Sequence, residues 1–280
     1  MLKRIILILL FVSVSYSQSF YKKLIWDYAE TYKNSETTIY IQGQTISQSQ
    51  ANRIDNFISM IKDSLGIGSL SEFWDVLYLT GNETQTLAYR NLVSRNYDLT
   101  LGSATVTFTQ WQGFNSDGIG GYLNTNYNPS TNGVNFTQNS CNITIYSISN
   151  IAEAKVDFAN NNGLYCRLRS DNGYLYNRLN DASNQLISTT DSRGCFTLVR
   201  ASSDTLIVYR NGTVFGTKVQ VSSAINNSNI HLLGSPYNST YGTKKIIFFG
   251  VGKEPTSVQA RKIKNCLEYY ADDIGVGVIP

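Results

Sequence analysis

The segment Leu206-Ile207-Val208-Tyr209-Arg210-Asn211-Gly212-Thr213-Val214-Phe215-Gly216 reads as a β-hairpin. Leu206 and Val208 alternate with Ile207 and Tyr209, and a period of two is the signature of a strand. Asn211-Gly212 then separates this run from Thr213-Val214-Phe215. Both turn residues tolerate positive φ, which a two-residue primed turn requires.

Outward from the hairpin the same pattern recurs. Runs at 104–111, 141–148, 154–158, 164–169, 173–178, 185–189, 196–200, 229–233 and 245–251 are strand-like, as are 205–210 and 213–219 of the hairpin itself. Asn162-Gly163, Asp171-Asn172-Gly173 and Arg193-Gly194 punctuate them. Many short strands divided by turn residues predict a two-sheet antiparallel sandwich or a barrel from Tyr97 onward. A closing helix is expected over 257–272, with Ala260, Ile263, Leu267 and Tyr270 on one stripe. No internal repeat of fixed period interrupts this order.

Upstream of Tyr97 the period changes to that of a helix. Leu24, Tyr28 and Tyr32 share a face over 20–33. Ser47-Gln48-Ser49-Gln50 has the form of a capping box, and Ile54, Phe57, Ile58, Ile61 and Leu65 follow at helical spacing until Gly66-Ile67-Gly68. Trp74 and Val76-Leu77-Tyr78-Leu79 form a short buried strand or helical turn within 72–80, and Asn82-Glu83-Thr84 opens a further helix carrying Leu87, Tyr89, Leu92 and Val93. The expected organisation is a signal segment over 1–17, a helical region over 18–96 and a sandwich over 97–280.

The signal segment rests on Lys3 and Arg4 before the apolar run 5–14, with Ser15-Tyr16-Ser17 at the cleavage positions. The run is short for a bilayer span. Of the 23 Lys and Arg, two precede the cleavage point, leaving 21 against 20 acidic residues in the mature chain. Near-neutrality argues against nucleic acid or an anionic membrane as partner. One His and no Cys-x-x-Cys pair in 280 residues leave little material for metal or proton chemistry. Cys141, Cys166, Cys195 and Cys266 permit two disulfides in an oxidising compartment. Cys166 shares a strand face with Leu164 and Leu168, where a free buried thiol also sits, and free thiols are the favoured reading.

Gly121-Tyr122-Leu123-Asn124-Thr125-Asn126-Tyr127-Asn128-Pro129-Ser130-Thr131-Asn132-Gly133, taken with the hairpin, resembles the concanavalin A-like (laminin G-like) β-sandwich of exported sugar-binding proteins and, in this wording, of tailed-phage structural proteins. The helix, buried run and second helix ahead of the sandwich are similar to the same phage proteins, and a C-terminal helix fits the family. The resemblance implies a mainly β jelly roll with a small helical N-terminal region. It also implies a lectin-like protein that is secreted or displayed on a virion as a tail, baseplate or fibre component. Its partners would be a glycan or cell-surface polysaccharide and, in a virion, neighbouring proteins or further copies of the chain. A purely architectural virion protein that binds no sugar is the alternative.

Enzymatic readings have little support. Laminarinase-type members carry Glu-x-Asp-x-x-Glu on one strand, and a glycosidase needs two carboxylates across the scissile bond. The nearest run here, Glu153-Ala154-Lys155-Val156-Asp157, has the wrong spacing. His231, the single histidine, lies in Ile230-His231-Leu232-Leu233 without a nucleophile elbow; it reads as a sheet-face residue. Sugar recognition instead uses aromatic faces with amides and carboxylates for hydroxyls. Loops of that composition are 112–118, 124–128 and 236–241, and they nominate Asp117, Tyr122, Asn124, Asn126, Tyr127, Tyr237 and Tyr241 as ligand-binding residues. No cofactor is required; a calcium ion could be held through Asp117 or Asp191 with carbonyl oxygens. Asn82, Asn135, Asn142, Asn211, Asn226 and Asn238 stand in glycosylation sequons. The N-terminal reading is checked by mass spectrometry of material secreted by a native host: the expected first residue is Gln18, and a chain starting at Met1 contradicts it.

Overall fold

The computed structural model describes residues 32–103 and 105–280. The expected signal segment and the 20–31 part of the first expected helix lie outside the described residues. Residues Asn34–Pro280 form one compact unit. It opens with helices α1 (Ser35–Ile41) and α2 (Gln48–Leu65), a 3-10 turn at Leu70–Glu72, strand β1 (Trp74–Tyr78) and a single helical turn at Gln85–Ala88. Strands β2 (Thr100–Leu101), β3 (Val106–Thr109), β4 (Gly113–Ser116) and β5 (Leu123–Asn124) follow, then a helical turn at Pro129–Asn132. Next come β6 (Cys141–Ser147), β7 (Phe158–Ala159), β8 (Leu164–Arg167), β9 (Tyr174–Leu179), β10 (Gln185–Ser188) and β11 (Gly194–Arg200). The chain closes with β12 (Thr205–Arg210), β13 (Thr213–Val219), β14 (His231–Leu232), β15 (Gly234–Ser235), β16 (Thr240–Tyr241), β17 (Ile246–Gly252) and helix α3 (Ser257–Asp273).

Two antiparallel sheets are stacked. The first runs β13-β12-β11-β6-β17-β4-β3, with β1 also paired along β17; the second runs β10-β9-β8-β7-β14-β5-β2. Between them Ile143, Ile145, Phe196, Leu198, Leu206, Val208, Phe249 and Val251 of the first sheet meet Phe158, Leu164, Cys166, Leu175, Leu179 and Leu232 of the second. The chain is therefore a mainly β, antiparallel sandwich with helices before and after it. The Asn211-Gly212 hairpin is formed by β12 and β13, with φ of 53° and 76° at its two turn residues. All four cysteines are free and buried.

The first sheet is covered on its other face as well. Tyr146, Cys195, Ile247 and Phe248 pack there against Ile54, Phe57, Ile58 and Ile61 of α2 and Ile263, Leu267 and Tyr270 of α3. A register shift between Ile246 and Phe248 is the kind of bulge that lets two successive side chains, Ile247 and Phe248, face the helices. The 72–80 segment is a strand: β1 pairs along β17, so these residues belong to the same sheet as the sandwich. Gly250 permits this approach, since a Cβ there would come within 2.8 Å of the Trp74 ring.

Four local expectations change, and the first is that the 112–118 stretch, expected as a loop, carries β4 paired with β3. Ser47 Oγ caps α2 by accepting from Gln50 N at 3.1 Å, but the reciprocal partner is Glu83, whose carboxylate accepts from Ser47 N at 2.9 Å. Gln50 is thereby released to donate to Asn82 Oδ1 and the Tyr270 hydroxyl, joining α2 to α3. The helix opened by Thr84 stops at Ala88, because the following residues are held by side chains: Asn91 Oδ1 accepts from Leu77 N and Val93 N. The 154–158 run forms pairing only at Phe158–Ala159, since Glu153 and Asp157 turn inward to Lys244.

Asp75 is the polar anchor of the loop after β5. Its carboxylate accepts from the Tyr127 hydroxyl at 2.7 Å, from the amides of Val134, Asn135 and Phe136 at 3.2, 2.8 and 3.0 Å, and from Asn135 Nδ2 at 3.0 Å. Asp75→Ala leaves these donors without an acceptor and is expected to lower the unfolding free energy by about 3 kcal/mol in urea titration; Tyr127→Phe, which removes donor and bond together, by about 1 kcal/mol.

Candidate functional site

The outward face of the second sheet holds the candidate site. Registered pairs share a face, so Asn124 on β5, His231 on β14, Ala159 on β7, Tyr165 on β8 and Arg178 on β9 form one outward row. Their neighbours Leu123, Leu232, Phe158 and Cys166 point into the core. A second row carries Arg167 beside Tyr176. The turn between β15 and β16 folds to one side of this face. There the Tyr237 ring lies 5.5 Å from that of His231, and Asn238 lines a hollow of about 250 Å³ together with Asn161, Asn162, Tyr165, Arg167 and Arg178.

The hollow is built by stacking. The Arg167 and Arg178 guanidinium carbons lie 5.2 and 5.7 Å from the Tyr165 ring centroid, and Arg167 also lies 5.7 Å from that of Tyr176. Such contacts hold a cation in place without neutralising it. Arg178 Nε donates to Asn184 Oδ1 and Nη1 to the Asn162 carbonyl, each at 3.0 Å. Burial pushes the Tyr165 hydroxyl up to about 12. A second hollow of about 360 Å³, lined by Asn162, Arg178, Ser223 and Asn226 among others, adjoins the first through the two residues they share.

The residues nominated from sequence divide into two groups. Tyr122, Tyr237 and Tyr241 gather around His231: Tyr122 meets His231 edge-on at 5.2 Å and stacks with Tyr241 at 6.2 Å. Gly102 makes room for the Tyr122 ring, since a Cβ there would lie 2.0 Å from it. Asn124 belongs to the same row, but its Oδ1 already accepts from Asn126 N and Asn229 Nδ2.

The others are structural. Tyr127 is fully buried in the core between the sheets, with its hydroxyl on Asp75, and cannot act as a surface stacking platform. Asn126 sits at φ 56° and donates to Asp98 O and Thr100 Oγ1, fastening its turn to β2. Asp117 accepts from the amides of Ile119, Gly120 and Gly121 at 2.9, 3.1 and 3.3 Å; these bonds, Ile119's first, hold it below the usual carboxylate range. Asp191 is paired with Arg193 and Arg210. Each carboxylate is thus engaged by its own neighbours, and among the described residues no three His, Cys, Asp or Glu side chains gather as a metal-holding group.

Sequence reasoning missed Tyr165, Arg167, Tyr176 and Arg178. The signal was present in Leu164-Tyr165-Cys166-Arg167-Leu168-Arg169 and Tyr174-Leu175-Tyr176-Asn177-Arg178-Leu179, where Tyr and Arg alternate with the core-facing residues.

No protein-family model and no curated protein matches the chain. Among solved structures it is similar to the Trypanosoma rangeli sialidase, with a TM-score of 0.52 and 12% identity over 82% of this chain and 40% of that one. It also matches the binding domain of botulinum neurotoxin DC in complex with rat synaptotagmin II, with a TM-score of 0.49 and 18% identity over 70% of this chain and 52% of that one. A further match is the binding domain of Paraclostridial mosquitocidal protein 1, with a TM-score of 0.46 and 15% identity over 71% of this chain and 53% of that one. The chain thus spans about 40 to 53% of the length of these structures. The sialidase likeness shows the fold alone, a β-sandwich.

His231 is 5% exposed, its Nδ1 has no hydrogen-bond partner among the described residues, and burial lowers its pKa to about 4. The unfolded chain, with an ordinary imidazole near 6.5, takes up this proton first as pH falls. The His231 contribution is therefore fully present above pH 6.5 and is lost as pH drops toward 4. Between pH 7 and pH 4 the wild type is expected to lose about 2–3 kcal/mol more unfolding free energy than His231→Phe, measured by denaturant titration at each pH.

Proposed function

We propose that this chain is a non-enzymatic, lectin-like carbohydrate-binding protein. It is displayed on a surface, either exported as an adhesin-like module or carried on a virion, and it takes glycan on the outward face of its second sheet. The carrying observation is the composition of that face. The Tyr165 ring, the amides of Asn161, Asn162, Asn184 and Asn238 and the guanidinium groups of Arg167 and Arg178 surround the hollow. Aromatic rings suit the apolar sides of sugars, and amides suit their hydroxyls. The two adjoining hollows share Asn162 and Arg178, which suits an oligosaccharide rather than an isolated ring.

The non-enzymatic reading is supported by where the carboxylates are. Glu153 and Asp157 are held by the buried Lys244 at 3.0 and 3.3 Å, and Asp117 is closed onto its own turn. Among the described residues no carboxylate orients His231 Nδ1, as a base in a nucleophilic triad requires. An architectural role is the second reading. It is favoured by the edge strand β13, whose Val214 is 54% and Val219 81% exposed, a row that suits packing against neighbouring chains.

A glycan array probed with the full chain distinguishes the two. Binding to a restricted set of glycans without release of shorter products supports the lectin-like reading; silence across the panel favours the architectural one. On a glycan that binds, Tyr237→Ala is expected to weaken affinity by about 1 kcal/mol while the thermal midpoint stays near that of the wild type.

A further inference from the structure

Arg167 and Arg178 stand out within the hollow because their charges are unanswered. Neither forms an ion pair with a carboxylate among the described residues, whereas Arg53, Arg95, Arg193, Arg200 and Arg210 all do. Arg178 spends two of its donors on neutral oxygens, Asn184 Oδ1 and the Asn162 carbonyl. The Arg167 side chain makes no hydrogen bond to any described residue, and its Nε is buried without an acceptor. Both guanidinium groups lie against the one Tyr165 ring, so two like charges are held close together. Arg169, two residues along the same strand face, adds a third positive charge; its Nη1 meets only the neutral Asn150 Oδ1, at 2.8 Å. Like charges brought together repel unless an anion lies among them, and the planar guanidinium fork matches an oxyanion through paired N–H donors. Stacking on the ring fixes both forks in advance, which reduces the ordering cost of binding.

We propose that the hollow takes an anionic sugar residue, whose carboxylate or sulfate is held between Arg167 and Arg178 while Asn161, Asn162 and Asn238 meet its hydroxyls. This rests on the carbohydrate-binding reading above and adds the charge of the ligand. At about 250 Å³ the hollow is just below the roughly 300 Å³ lower end for small-molecule sites, which fits one residue of a longer chain.

The test probes the full chain with neutral, carboxylated and sulfated glycans, the methyl esters of the carboxylated ones, and inorganic polyphosphate. Binding to carboxylated or sulfated members at least tenfold tighter than to neutral or esterified ones is expected, and the member that binds identifies the anion. Arg167→Gln and Arg178→Gln are each expected to lower that affinity about tenfold or more, with Arg167→Lys restoring part of it. Thermal melts establish that the variants fold; should either fail to fold, the ester comparison and the salt dependence on the wild type decide. Equal binding of neutral, esterified and acidic glycans overturns the anionic ligand while leaving the carbohydrate reading intact. Unchanged affinity in both folded Gln variants, or polyphosphate binding as tightly as glycan, also overturns it. Absence of binding to every glycan overturns both readings.

Discussion

Burial of the central strands on both faces is the constraint around which this molecule is arranged. Every residue of β6, β11 and β17 is buried. One face of these strands meets the second sheet and the other meets α2 and α3, so the structure has three layers rather than two. At about 25 cal/mol per Å² of apolar surface removed from water, exposing the helix-facing side of this sheet would be costly. The helices are therefore part of the sandwich's core. Phe57 meets Phe248 and Tyr270 edge-on at 6.3 and 5.5 Å, placing α2, β17 and α3 in a single aromatic cluster.

Polar groups inside this frame tie its layers at chosen points. Arg200 at the end of β11 is fully buried and donates to the carbonyls of Leu179 at the end of β9, of Asn180 and of Gln220. It also lies 3.4 Å from Asp181, which in turn binds Lys218 at 3.1 Å. A buried guanidinium is tolerated when its donors are satisfied this fully, and the result fastens the two sheets together at one end. Glu268 of α3 does the same at the helix layer, accepting from the Tyr146 hydroxyl and from Ile279 N. Burial and this bond push the Tyr146 hydroxyl well above its ordinary range.

Against so much satisfied polarity, the outward face of the second sheet is conspicuous for what it leaves over. The first sheet has spent its outward face on the helices. The second sheet has not, and on it the guanidinium groups rest on tyrosine rings rather than on carboxylates. Its position beside the β15–β16 turn brings together side chains from 122 to 241, from four strands and four loops.

Much of the architecture was legible locally. The Asn211-Gly212 turn, the alternation of the strands, the Ile54–Leu65 stripe and the Ala260, Ile263, Leu267 and Tyr270 stripe of α3 are consequences of φ/ψ preference and periodicity, which act over a few residues. The Tyr122, Tyr237 and Tyr241 cluster was legible in part, through loop composition. Tyr127 was misplaced because composition cannot tell which side of a turn faces the core; that depended on Asp75, 52 residues away in sequence. The sequence by itself determined the longer strands, the hairpin and the closing helix. Only the tertiary structure decided that β1 joins β17, that the helices cover one sheet and leave the other open, and that Arg167 and Arg178 share one tyrosine. Those outcomes depend on strand order and register, which are set by burial summed over the whole chain rather than by any short stretch of it.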